Sequence, residues 1–257
     1  MEARKVHASH GWMWIKHGYW LFRKNPLLWM VLTAIGVVGM LGIAVIPVIG
    51  DPLATLLFPV LLAGFMFGCH ALAKGEELEL AHLFAGFQQH TQQLVTLGGV
   101  NLVGQLLILG AMMLTGGATL VGIMMSGKTA DDPEILMQAV AGAGFALLLG
   151  MTLFSVLLMA MQFAPMLVIF GGMQPIPALK ASLRAFLRNV IPLTVYAVML
   201  LPFAILATLP MLLGWLVLLP IIITSLYAIY RDLFPTPEET APAAEGEVVT
   251  RDDQTHS

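Results

Sequence analysis

Long uncharged runs broken by short charged stretches dominate the chain. They cover Asn25–Gly50, Pro52–Ala73, Thr91–Gly127, Ile135–Leu179 and Asn189–Tyr230, and each is long enough for the ~20 residues of helix that cross hydrocarbon. Asn189–Tyr230 has room for two helices, and its centre, Leu209–Trp215 (Leu-Pro-Met-Leu-Leu-Gly-Trp), carries the proline and glycine of a tight turn. Ile135–Leu179 is similarly long, but splitting it would send Lys180, Arg184 and Arg188 to the opposite side from the other cations. It is therefore read as one span. The pattern predicts an all-α bundle of six spans, near 27–49, 53–73, 94–118, 143–170, 190–209 and 212–230, forming an integral membrane domain over residues 1–234.

Charge orients this bundle. Of the 12 Lys and Arg residues, all but Lys128 fall on one side of the spans, and the positive-inside rule makes that side the cytoplasm, with both termini in it. A chain that is 58% hydrophobic and 11% charged, with mean hydropathy +0.87, cannot be a water-soluble globule. The expected setting is a bacterial inner membrane. Residues 235–257 differ from the rest: Glu238, Glu239, Glu245, Glu247, Asp252 and Asp253 among prolines predict a disordered acidic cytoplasmic tail. The lone Cys69 excludes an intrachain disulfide and reads as a small packing residue. The first 24 residues scatter Arg4, Lys5, Lys16, Arg23 and Lys24 among aromatics, which is unlike a cleavable signal peptide.

Three segments precede the span hairpins: Gly11–Asn25, Glu77–His90 and Ile176–Asn189. Leu-Phe-Arg-Lys-Asn-Pro (Leu21–Pro26) echoes Phe-Leu-Arg-Asn-Val-Ile-Pro (Phe186–Pro192), and Pro59, Pro165 and Pro220 recur in the returning spans. The echoes predict a unit repeated three times, each an amphipathic helix followed by a two-span hairpin. In the third segment Lys180, Arg184 and Arg188 recur at every fourth residue beside an apolar stripe of Ile176, Leu179, Leu183, Phe186 and Leu187. Such a helix is expected to lie in the headgroup plane, its apolar side in the acyl boundary and its cations on anionic headgroups. The first segment follows the same plan with Trp12, Trp14, Tyr19, Trp20 and Phe22 among Lys16, Arg23 and Lys24. In the middle segment Glu76, Glu77 and Glu79 stand where the others carry bases.

No Asp, Glu, Lys or Arg falls deep within a predicted span, where such residues mark ion and proton paths. The amides at depth are Asn101, Gln105 and Gln162, read as interhelical hydrogen-bond partners or, alternatively, as the lining of a solute path. His7, His10, His17, His82 and His90 match no compact metal motif, and no nucleophile elbow, phosphate loop or HExxH is present. No catalytic residue, metal site or cofactor is expected. Nor is a nucleic-acid surface, because the cations are taken up at the membrane face.

The opening Met-Glu-Ala-Arg with Gly-Trp-Met-Trp and Leu-Phe-Arg-Lys-Asn-Pro-Leu-Leu-Trp, the stretch Phe58–Phe87, and Ala178–Asn189 together resemble the BPSS-type family of uncharacterised proteobacterial polytopic transmembrane proteins. That resemblance covers most of the chain outside the tail. It implies an inner-membrane protein and brings no activity or catalytic residues with it. The chain is also distantly similar to other six-span families, including the membrane domain accompanying some glycerophosphodiester phosphodiesterases, whose catalytic domain it lacks. The expectation is a non-catalytic module organising lipid or a protein partner. The alternative is a transporter or channel for a neutral or amphiphilic solute, for which a cavity lined by Asn101, Gln105 and Gln162 would speak. A membrane-embedded enzyme stands third, and clustered His and Glu would favour it.

Overall fold

The structure, a computed structural model, describes residues 3–118, 137, 143–209 and 211–235. The acidic tail and Lys128 lie outside them. The helices among the described residues are α1 (His10–Lys24), α2 (Pro26–Ala44), α3 (Gly50–Lys74), α4 (His82–Gln88), α5 (Thr91–Met112, continued by a π-helical turn Met113–Gly117), α6 (Gly144–Gln162), α7 (Ala164–Ile169), α8 (Pro175–Arg188), α9 (Val190–Thr208) and α10 (Trp215–Leu233). No strand occurs among the described residues. Among the described residues, six helical stretches are long and apolar enough to cross a membrane: Pro26–Ala44, Gly50–Lys74, Thr91–Thr115, Gly144–Ile169, Val190–Thr208 and Trp215–Leu233. The chain is an all-α, multi-pass membrane protein.

Local chemistry sets the span ends. α2 stops at Ala44, short of the expected residue 49, because Pro47 brings no N–H to the ladder and Val48 turns left-handed at φ 68°. Gly50 completes that turn: a Cβ there would sit 2.4 Å from the Ile43 carbonyl. Met211 and Leu212, at φ 49° and 68°, make the predicted hairpin between α9 and α10. Within the long 135–179 run, Gly144–Ile169 forms one span, broken between α6 and α7. There the Ser182 hydroxyl donates to Met159 O (2.9 Å) and accepts from Phe163 N (3.0 Å), inserting itself into an i to i−4 step of the helical ladder. Two residues after Phe163, Pro165 stands in the first turn of α7 without an N–H to give.

Residues 3–9 and Pro235 lie at one end of the bundle, the terminal face, together with α1, α4 and α8. Each of these three helices packs on a span that returns to this face. α4 meets α3 at Gly64 and Gly86, where added Cβ atoms would lie 2.3 Å from Leu83 O and 2.1 Å from Val60 O. α8 meets α6 through Ser182. α1 meets α10 at Gly18 and α9 at Gly11. Gly11 and Gly18 stand seven residues apart, about 10.5 Å along a helix, close to the ~8–10 Å that separates packed helix axes. One glycine therefore serves each of two neighbouring spans. α3 and α10 are the most enclosed spans, with 56% and 44% of their apolar windows buried against 11–22% elsewhere, so they form the centre. Pro59, Pro165 and Pro220 are all buried there. The outer spans turn Val38, Leu41, Leu107, Phe145, Ile191 and Ile205 outward, as hydrocarbon solvent permits.

Candidate functional site

Polar chemistry concentrates where the N-terminal segment crosses the terminal face. Arg4 N donates to Leu233 O (2.9 Å), Val6 N to Asn189 Oδ1 (2.9 Å), Asn189 Nδ2 to Arg4 O (3.0 Å) and Arg188 Nη1 to Ala3 O (3.2 Å). Asn189 is buried at the α8–α9 junction, so this strap is tied to the bundle rather than lying loose on it. Asn25, at the junction between α1 and α2, instead caps its own following helix, accepting from Leu28 N at 3.3 Å.

Asp232 is the hub of the strap. In the last turn of α10 its carboxylate meets the unfavourable end of the helix dipole, and three donors compensate. Arg4 Nη2 pairs with Oδ1, and Oδ2 binds His10 Nδ1 (2.7 Å) and accepts from Trp14 Nε1 (2.7 Å). Arg4 Nε also donates to the Asp232 carbonyl (2.6 Å). Trp14 is 1% exposed, so this bond satisfies a donor that water cannot reach. Its ring stacks edge-on against His10 and Tyr196.

Beside Asp232 lies a cavity of about 600 Å³, walled by Arg4, by Trp14, His17 and Trp20 of α1, by Ala73 of α3, and by Tyr227 and Arg231 of α10. Beneath it, His70 Nδ1 and the Tyr227 hydroxyl are 2.9 Å apart, with Phe170 5.0 Å from the His70 ring. Two guanidinium groups, an imidazole and one carboxylate thus line it together with aromatic rings. Among the described residues no three His, Cys, Asp or Glu come together to hold a metal.

The expected lipid-facing residues divide. Trp12, Lys16, Trp20, Arg23 and Lys24 are exposed on α1, and Lys180, Arg184 and Arg188 on α8. Lys16 Nζ lies 5.7 Å from the Trp12 ring centre and Lys24 Nζ 4.2 Å from that of Trp20. Lys24 also donates to Leu72 O (2.6 Å), closing the last turn of α3, and Arg188 holds the strap, so both serve the fold as well. Trp14 and Phe22, expected in the acyl boundary, are instead buried in protein, because α1 packs on α9 and α10 through that side. Asn101, Gln105 and Gln162 are half-buried. They line neither the cavity at Asp232 nor the grooves along α9 and α10. Sequence reasoning missed Asp232, His70 and Tyr227, since each reads as ordinary span-end chemistry; the seven-residue spacing of Gly11 and Gly18 was the available signal for the α1 contact.

A family model described as a domain of unknown function, DUF7847, matches residues 13–250. A protein of Burkholderia thailandensis named a probable inner membrane protein is 33% identical over 265 residues, covering 94% of this chain and 97% of the relative. No solved structure matches.

Proposed function

The chain belongs to the DUF7847 family, and with that as premise we propose that it is a non-catalytic inner-membrane module whose terminal face lies in the cytoplasm and organises anionic lipid. The observation that carries this reading is the seating of α1. Held to α9 and α10 by two glycines, it turns Trp12, Lys16, Tyr19, Trp20 and Arg23 outward with lysine ammonium groups over tryptophan rings. Lys180, Arg184 and Arg188 add a second exposed cationic row on α8. Cations at this level each contribute about 1 kcal/mol toward an anionic leaflet, and aromatic rings anchor at the same depth. The relative's name as a probable inner membrane protein supports the setting.

Orientation is tested by reporter fusions. Fusions after Lys74 and Arg231 should report cytoplasm and fusions at Asp51 and Leu212 periplasm; a periplasmic report after Lys74 would refute the proposed orientation. The lipid role is tested by extracting the full chain in polymer-bounded native discs and quantifying the phospholipids that accompany it. Replacing Lys16, Arg23, Lys24, Lys180, Arg184 and Arg188 by Gln should lower the phosphatidylglycerol share. An unchanged share in the folded variant would count against the reading.

A further inference from the structure

On the side of α1 opposite the Asp232 cavity runs a groove of about 310 Å³ lined by Ile15 and Tyr19 of α1, Leu200 and Phe203 of α9, and Leu218 and Ile221 of α10, with Trp12 and Lys16 at its rim. We propose that this groove is a specific site for one anionic phospholipid, with a segment of one acyl chain between α1, α9 and α10 and the headgroup phosphate at Lys16. The proposal rests on the lipid-organising reading and assigns it a place.

Size and shape speak for a chain segment. The volume stands at the lower end of the ~300–1,000 Å³ typical of small-ligand pockets, too small for a whole phospholipid. The six inner wall residues are all apolar or aromatic. Depth is fixed by backbone rather than by mobile side chains: Gly11 and Gly18 bring α1 so close to α9 and α10 that no Cβ fits at either contact. The groove therefore cannot close by α1 sinking further. Charge complements the headgroup. Lys16 reaches along the wall with its stem and ends over the Trp12 ring. α1 holds no Asp or Glu, and the bundle's nearby carboxylate, Asp232, faces the other cavity and is paired to Arg4 and His10. Trp12, 41% exposed at the rim, stands as interfacial aromatics do.

The test uses the full chain, delipidated in a non-ionic detergent and titrated with palmitoyl-oleoyl phosphatidylglycerol or the matching phosphatidylcholine, with bound lipid counted by native mass spectrometry. The wild type should hold one phosphatidylglycerol about fivefold more tightly than phosphatidylcholine, the factor that one cation contributes at an anionic headgroup. Lys16→Gln, on an exposed side chain, should equalise the two lipids. Leu200→Trp or Ile221→Phe, which fill the groove, should weaken retention of both on the order of tenfold, as expelling two methylenes would. A wild type indifferent to headgroup overturns the site, as does a Lys16→Gln variant that keeps the preference. So does a folded groove-filled variant that binds like the wild type. In that last case persistent phosphatidylglycerol enrichment in native discs would leave the module reading standing, whereas loss of enrichment in wild-type discs is what defeats that reading.

Discussion

Gly18→Ala should loosen α1 from the bundle by about 1–3 kcal/mol, although alanine is the better helix former by ~1 kcal/mol. A Cβ at this position would lie 2.1 Å from Ser225 Oγ and 2.7 Å from Ser225 N. The hydroxyl could rotate away; the backbone nitrogen cannot, so α1 and α10 must part. Overpacking of this kind costs ~1–3 kcal/mol, and separation also stretches the bond from Thr224 Oγ1 to Gly18 O, 2.8 Å and buried. In lipid, close packing and such hydrogen bonds supply the association that hydrophobic burial supplies in water. Gly39 provides the control, because nothing lies within 4 Å of its Cβ position. Thermal melts in detergent should rank Gly39→Ala at or above the wild type and Gly18→Ala clearly below it, with Trp14 becoming accessible to an aqueous quencher. Equal melting of the two variants would show that α1 is not seated as described.

Asp232→Ala should destabilise the terminal face by about 2–4 kcal/mol, since it removes the acceptor of a buried indole and the partner of Arg4 and His10 at once. The pairs are unequal. The Arg4 side chain is 51% exposed against 16% for Asp232, so Arg4→Gln should cost no more than about 1 kcal/mol. Trp14 has no water to turn to. The Trp14→Phe and Asp232→Ala changes should therefore couple strongly in a double-mutant cycle, because they share one bond. An Arg4→Gln variant as unstable as Asp232→Ala would place the weight of the site on the exposed ion pair instead.

The spans were legible because hydrocarbon demands uninterrupted apolar length: the runs beginning at Asn25, Pro52, Thr91 and Asn189 each become the helices they predict. The Leu209–Trp215 hairpin was legible for the same reason as any turn, through proline and glycine. Charge placement decided the reading of 135–179 as one span, which Gly144–Ile169 bears out. What sequence could not carry is pairing between elements. Trp14 and Trp12 are two residues apart and chemically alike, yet one is buried and the other exposed, and only contact with α9 and α10 distinguishes them. Asp232 next to Arg231 looks like an ordinary charged flank until Arg4, His10 and Trp14 arrive from more than 200 positions away. Ser182, one small residue on a basic helix, gave no sign that it enters the backbone ladder of α6.

The seating of α1 by Gly11 and Gly18 is what is proposed to gather anionic lipid at the terminal face. The most direct measurement is the phosphatidylglycerol share in native discs holding the wild-type chain, compared with discs cut from the same membranes around Gly18→Leu, whose cations are intact but whose α1 is displaced. Enrichment around the wild type and a fall toward the bulk composition for Gly18→Leu are expected. Wild-type discs with the bulk composition, or equal enrichment around both proteins, would contradict it.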